Sequence, residues 1–288
     1  MKESTLAVSK SLGNVVACPE VARLAPTLST GFGSGTVGGS TPVESLHVLG
    51  CAGSSYAGRA GPPCSSYLVE MGGRALLLDC GYGSLDALSA LVNSRACALD
   101  AVILTHSHAD HAGDLFALLE RGDLWRGAPL VVAQRETIDH VGYRVGSGAS
   151  TYVEARDGGC VTVGDVALRF SSTDHQVATV AVAVSAGATR LVYSSDTGPR
   201  WRPPPAHVGA SLAIVECTLF RRRDRDSPYH LDGSEAAALL RYLSPARALV
   251  THVPPGESVS ARVEIVGRWS KSAETEAAVA GLRIDLVP

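Results

Sequence analysis

The most constraining feature of this chain is the run Thr105-His106-Ser107-His108-Ala109-Asp110-His111-Ala112-Gly113. Three imidazoles and a carboxylate fall within residues 106–111, directly behind the apolar stretch Ala101-Val-Ile-Leu-Thr105. A buried strand ending there projects all four side chains from one turn into a common volume before a helix begins. Packed together without a partner, those imidazoles would repel one another once protonated. Nitrogen and carboxylate donors in such a group suit a divalent metal: zinc, with manganese or iron as alternatives.

Other apolar runs end in the same way. Arg190-Leu-Val-Tyr-Ser-Ser195 leads into Asp196, and Ala248-Leu-Val-Thr251 into His252. Strand ends of layered α/β folds are where ligands and metals collect. The short β-branched and Leu-rich runs predict strands at 45–51, 65–71, 74–80, 101–105, 129–133, 151–155, 166–171, 177–185, 190–195, 212–217, 248–252 and 282–287. Helices are predicted at 84–93, 111–121, 234–243 and 257–270.

Residues 1–44 differ in texture. They contain Gly31-Phe-Gly-Ser-Gly-Thr-Val-Gly-Gly-Ser-Thr41, a tract too poor in apolar surface to offset its ordering entropy, and are read as a flexible leader. Residues 45–288 are read as one domain, since 45% hydrophobic content over 288 residues supports a sizeable core. A net charge of −3 argues against holding nucleic acid mainly by long-range attraction. The seven cysteines are odd in number and scattered, unlike a secreted disulfide scaffold. With no signal-like apolar stretch and no apolar run of membrane-spanning length, a cytoplasmic location is expected.

The motif His106-x-His108-x-Asp110-His111 resembles the metal-binding signature of the metallo-β-lactamase superfamily. Thr173-Asp174-His175, Asp196-Thr-Gly-Pro199 and Leu249-Val-Thr-His252 match, in order and in strand-end setting, the superfamily's third histidine, bridging aspartate and last histidine. The resemblance runs from about residue 45 to the end. It implies an α+β fold, the four-layer αββα sandwich, with two metal ions. His106, His108 and His175 would hold one ion; Asp110, His111 and His252 would hold the other; Asp196 would bridge them. Two cations sharing a water bring its pKa near neutrality and polarise the substrate oxygen, which implies hydrolysis. Asp110 is counted with the catalytic groups as well as the ligands.

The bridging position carries Asp196 where many true β-lactamases have cysteine, which disfavours penicillin-type substrates. Glu216-Cys-Thr218 and Tyr229-His230-Leu-Asp-Gly-Ser234 resemble the ribonuclease Z-like phosphodiesterase branch. In that branch the histidine at the His230 position aids departure of the leaving oxygen, and a placed imidazole donor is worth roughly 100- to 10,000-fold. Ribonuclease Z proper inserts a long Gly/Pro-rich arm to grip tRNA between the third histidine and the bridging aspartate. Here only Gln176 to Ser195 intervene, so tRNA processing is not expected. With Leu49-Gly-Cys-Ala-Gly-Ser54 and Thr251-His-Val-Pro-Pro255, the chain is similar to arm-less actinobacterial cyclic-nucleotide phosphodiesterases. The branch also implies a homodimer.

Supporting roles are read from setting. Asp79, ending the apolar run Leu76-Leu-Leu-Asp79, needs a partner for its carboxylate and is expected to fix the tautomer of a ligand histidine; Glu216 follows the same logic. Ser54 and Ser55, Arg221-Arg-Arg-Asp-Arg225 and the aromatics Trp125 and Trp201 are read as ordinary loop, solvated or packing residues. Tyr229 is a candidate stacking residue beside His230, while His47, His140 and His207 receive no role. The loops 53–64, 142–150 and 197–208 are expected to shape specificity. The expected activity is hydrolysis of a small phosphodiester, a nucleotide or cyclic nucleotide. The alternatives are a lactone, thioester or amide hydrolase, and a metal-binding scaffold without turnover.

Overall fold

The computed structural model describes residues 15–17, 44–53, 61–95, 98–145, 150–221, 228–270 and 274–288. In chain order the strands are β1 (Val15–Ala17), β2 (Ser45–Gly50), β3 (Ser66–Met71), β4 (Arg74–Leu78), β5 (Ala101–Leu104), β6 (Leu130–Ala133) and β7 (Thr151–Glu154). They continue as β8 (Cys160–Val163), β9 (Val166–Ser172), β10 (Val180–Ala186), β11 (Thr189–Tyr193), β12 (Leu212–Glu216), β13 (Arg247–Thr251), β14 (Glu274–Ala277) and β15 (Arg283–Asp285). The helices are α1 (Ser84–Arg95), α2 (Ala109–Ala112), α3 (Leu115–Glu120), α4 (Arg135–Val145), α5 (Gly233–Leu243) and α6 (Val259–Ser270).

Two sheets form, ordered β15-β2-β3-β4-β5-β6-β7 and β1-β8-β9-β10-β11-β12-β13-β14. Alternation along the strands sorts side chains into three cores. Leu76, Leu78 and Ile103 from the first sheet meet Leu168, Val182, Tyr193, Ile214 and Leu249 from the second. On the outer face of the first sheet, Leu77, Val102 and Leu104 pack beneath Leu88 of α1 and Leu115 and Leu118 of α3. On the outer face of the second, Ala213, Val215 and Val250 pack beneath Leu240 of α5 and Val266 of α6. The result is the four-layer αββα sandwich. Strands covered on both faces read as continuous apolar runs, which is why β5 and β12 carry so few polar residues.

The parallel strands matter most for function. β4 pairs in parallel with β5, and β11, β12 and β13 run parallel to one another, so their C-terminal ends gather at one edge of the sandwich. Three of the non-glycine residues with left-handed backbone sit at these exits: Asp79 (φ 60°), Ser195 (φ 53°) and His252 (φ 60°). Such strain persists where the surroundings over-determine it, and here each turn aims a polar side chain into the edge.

Some elements differ from the sequence-based expectations. The single helix at 111–121 is two, α2 and α3, because the Asp114 amide donates to the Cys80 carbonyl at 3.0 Å and leaves the helical ladder. β8, α4 and β14 form where no element was predicted. β1, inside the presumed leader, adds an edge strand beside β8 through Val15↔Val163 and Val16↔Thr162. Between His175 and Asp196 the chain makes the plain β10–β11 hairpin, so no arm leaves the body at that point. Among the described residues no helix is long and apolar enough to cross a membrane.

Candidate metal centre

Seven side chains named from the sequence converge at the sandwich edge in two clusters. His106, at the exit of β5, and His108 bring Nε2 and Nδ1 to 3.1 Å; His108 Nδ1 lies 3.3 Å from His175 Nε2. Asp196 Oδ2 closes this group, 3.8 Å from both His106 Nε2 and His175 Nε2. In the second group, His111 Nε2 and His252 Nε2 are 3.1 Å apart, and Asp110 Oδ2 lies 3.2 Å from His252 Nε2. Asp196 Oδ1 is 3.2 Å from both of those nitrogens. The two carboxylate oxygens of Asp196 therefore face one cluster each.

Hydrogen bonds behind the rings decide which nitrogen is bare. Asp79 Oδ2 accepts from His111 Nδ1 at 2.8 Å. Thr105 Oγ1 spends its proton on Asp79, so it can only accept from His106 Nδ1. His175 Nδ1 donates to the Tyr229 carbonyl at 3.2 Å. Thr218 Oγ1 donates to Glu216 and accepts from His252 Nδ1 at 2.7 Å. With Nδ1 engaged as donor, the inward Nε2 of each of these rings is the atom turned toward the cluster and available to a cation. Nitrogens converging at 3.1–3.3 Å need a proton or a cation between them. Tetrahedral coordination with arms of about 2.0–2.1 Å has edges of roughly 3.3 Å, which is the spacing observed.

The electrostatics agree. Burial favours neutral His106, and the neighbouring imidazoles hold its pKa well below the usual range. Burial also opposes charge on His111, yet Asp196, Asp79 and Asp110 overcome it and push that ring well above its usual pKa. Burial would raise Asp196, but His252 and His111 hold its carboxyl well below the usual range, and Oδ1 is buried without a hydrogen bond. A group of buried carboxylates among imidazoles calls for positive charge, and two divalent cations fit it.

Asp79 and Glu216 each lie within hydrogen-bond distance of a histidine at the clusters. Asp79, fully buried, also accepts from the Thr105 amide at 2.8 Å and from Tyr193 OH at 2.9 Å. Glu216 accepts from the amides of Thr197, Thr218 and Leu231 and from Thr218 Oγ1. Its remaining partner is His230 Nδ1 at 2.9 Å. With its lone pairs so occupied, Glu216 is no metal ligand, although it stands close to His230 and His252. Burial would lower the His230 pKa, but Glu216 reverses this and raises it to about 9. His230 stacks on His252 with ring centroids 5.4 Å apart and lies 4.0 Å from Asp196 Oδ2. Asp232 caps α5 in a reciprocal capping box with Glu235, which fixes the turn carrying His230.

Residues without a strong sequence reading fall out as follows. Tyr229 lies beside His175, ring centroids 6.4 Å apart, and holds it through a carbonyl. Trp125 bonds the Leu118 carbonyl as a packing residue, and Trp201 is buried beside His207. His47 pairs with Glu70 away from the centre. Ser54, Ser55 and residues 222–227 lie outside the described residues. Sequence reasoning missed Thr105, Thr218, Tyr67, Tyr193 and two glycines. A Cβ on Gly53 would stand 2.4 Å from His252 Nδ1, and one on Gly81 would stand 2.1 Å from the Asp110 carbonyl oxygen.

With this geometry in place, the comparisons with known proteins are decisive. Residues 74–253 match the family model described as "Beta-lactamase superfamily domain". The chain belongs to the metallo-β-lactamase superfamily. It is 29% identical over 216 residues to the probable metallo-hydrolase YhfI of Bacillus subtilis, covering 72% of this chain and 86% of that protein. It is 30% identical over 232 residues to a ribonuclease Z of Mycobacterium marinum, covering 68% of this chain and 81% of that one. The crystal structure of YhfI superposes with a TM-score of 0.74 at 25% identity, covering 84% of this chain and 98% of that one. A diphosphatase of the PhnP family shares the fold alone, with a TM-score of 0.63 at 16% identity over 84% of this chain and 97% of that one. A metal-dependent hydrolase of the ribonuclease Z-like kind is therefore supported.

Proposed function

We propose that the chain is a dizinc phosphodiesterase acting on a small nucleotide or cyclic nucleotide. The observation that carries this reading is His230, a buried imidazole held by Glu216 at 2.9 Å and standing 4.0 Å from Asp196 Oδ2 beside the candidate ligand cluster. His106, His108 and His175 would hold one ion, Asp110, His111 and His252 the other, and Asp196 both. When bound, the ions supply a water of lowered pKa and polarise the scissile oxygen. Asp110, in the second cluster, and Asp196, which faces both clusters, would orient the attacking water. Glu216, accepting from Nδ1, keeps the His230 ring protonated, and the proton on its other nitrogen, Nε2, would go to the departing oxygen; the group that leaves from a phosphodiester is an alkoxide that needs one. Carboxyl hydrolysis at such a site is the second reading, and it gives His230 less to do.

The substrate is taken to be small because the β10–β11 hairpin offers no arm with which to grip an RNA. A cytoplasmic location is supported by Cys64, Cys80 and Cys217, free thiols whose pKa burial pushes up and so keeps protonated and unreactive. Homodimerisation rests on the branch resemblance, and light scattering on a sizing column tests it. The decisive experiment is hydrolysis of bis(p-nitrophenyl) phosphate and a panel of cyclic nucleotides by zinc- or manganese-loaded protein, with His111→Ala as the control. Turnover lost in the variant supports the reading; metal bound without turnover on any phosphodiester refutes it and turns attention to lactones and thioesters.

A further inference from the structure

We infer that Tyr67 and Tyr193 are positioning residues that hold the two half-sites at metal-binding distance by latching each sheet to the other. The inference rests on the metal assignment above. His106, His108, Asp110 and His111 come from the sheet holding β5, whereas His175, Asp196 and His252 come from the sheet holding β11 and β13. Whatever fixes the gap between the sheets therefore fixes the ligand spacing.

The two tyrosines cross that gap in opposite directions. Tyr193, at the end of β11, donates 2.9 Å to Asp79 Oδ2 at the exit of β4. That same oxygen holds His111 Nδ1 and Thr105 Oγ1, and through Thr105 it reaches His106. Tyr67 OH, on β3, shares a hydrogen bond with Thr251 Oγ1 at the end of β13. Thr251 Oγ1 in turn donates to the Cys51 carbonyl at 3.4 Å, which also accepts the His252 amide at 2.9 Å. This chain pins the residue that adopts φ 60° to aim His252 inward. The two phenol rings touch in the inter-sheet core, centroids 5.1 Å apart at 58°, and both are fully buried. Burial keeps both phenols protonated, so each remains a donor. Neither hydroxyl touches a candidate ligand, yet both end on the groups that orient His111 and His252, the two rings of the second cluster.

The test uses Tyr67→Phe and Tyr193→Phe, which delete only the hydroxyls and leave the core volume filled. Chelator-competition titration of metal-free protein with Zn²⁺ is read together with the Tm of the metal-free form. The wild type is expected to take up two equivalents. Each variant is expected to bind one equivalent 10- to 100-fold more weakly, as for other groups standing behind metal ligands, and Tyr193→Phe is expected to weaken the other equivalent as well, because Asp79 reaches His106 through Thr105. The double variant is expected to lose less than the product of the two single effects, because both hydroxyls serve one cluster. Unchanged affinity in both variants overturns the inference. So does a fall in metal-free Tm with affinity retained, since that is a packing role only. Fewer than two equivalents in the wild type would instead refute the ligand assignment itself.

Discussion

Glutamine at position 216 isolates the charge that controls His230. Burial alone would keep that ring neutral, and the Glu216 carboxylate at 2.9 Å lifts its pKa from 6.5 to about 9. At about 1.4 kcal/mol per pKa unit, this is a preference of about 3 kcal/mol for the protonated ring, an upper figure because bound cations favour the neutral form. A pKa raised on folding stabilises fully below the unfolded value near 6.5 and is lost as pH climbs through about 9. With Glu216→Gln the lift disappears and burial leaves the ring at or below its ordinary value. At pH 8 the protonated fraction then falls from about nine-tenths to about 3%, a roughly 30-fold loss of general acid. The assay is the pH profile of kcat on two phosphodiesters, one with an alkyl leaving group and one with p-nitrophenol, whose anion leaves without a proton. The alkyl ester is expected to lose roughly 30-fold at pH 8 with its alkaline limb moved down from near 9, and the p-nitrophenyl ester to lose less than about threefold. An alkaline limb that stays in place, or equal losses on both esters, refutes the reasoning.

Asp79→Asn leaves one amide group facing donors at a fully buried position, which costs about 2–6 kcal/mol at 1–3 kcal/mol for each orphaned polar group; thermal melts of the metal-free protein measure it. Zinc affinity in that variant falls roughly 10- to 100-fold as His111 loses its fixed tautomer, read by competition with a chromophoric chelator. Removal of metal with a chelator lowers the Tm, and zinc at a hundred times its Kd restores about 2.7 kcal/mol; a melt indifferent to chelation contradicts the cluster electrostatics. Gly53→Ala forces a methyl to 2.4 Å from His252 Nδ1, so activity falls at least tenfold while far-ultraviolet circular dichroism stays unchanged.

The candidate ligand cluster was legible because its residues announce themselves locally. Four donors lie within residues 106–111, and His175, Asp196 and His252 each follow an apolar strand whose polar exit reads plainly in sequence. Asp79 was legible for a thermodynamic reason: a carboxylate at the end of Leu76-Leu-Leu has to be paid for by a partner. The partner itself was not legible, because His111 Nδ1 and Tyr193 OH are brought to it from 32 and 114 residues away. The same distance hid Tyr67, whose bond to Thr251 spans 184 residues. Thr105 and Thr218 read as generic hydroxyls, and only their bonds to Asp79 and Glu216 make them acceptors for histidines. β14, with the sequence Glu-Thr-Glu-Ala, lacks the apolar signal of a buried strand because it closes the edge of its sheet. The break between α2 and α3 depends on an amide captured by Cys80, again a tertiary event with no local signature.

A dinuclear phosphodiesterase ties its rate to its metal content. Protein stripped of metal is titrated with Zn²⁺ while hydrolysis of a phosphodiester is followed. The rate is expected to rise and level off at two equivalents per chain. A plateau at one equivalent, or two equivalents bound with no phosphodiester turned over, would contradict this expectation.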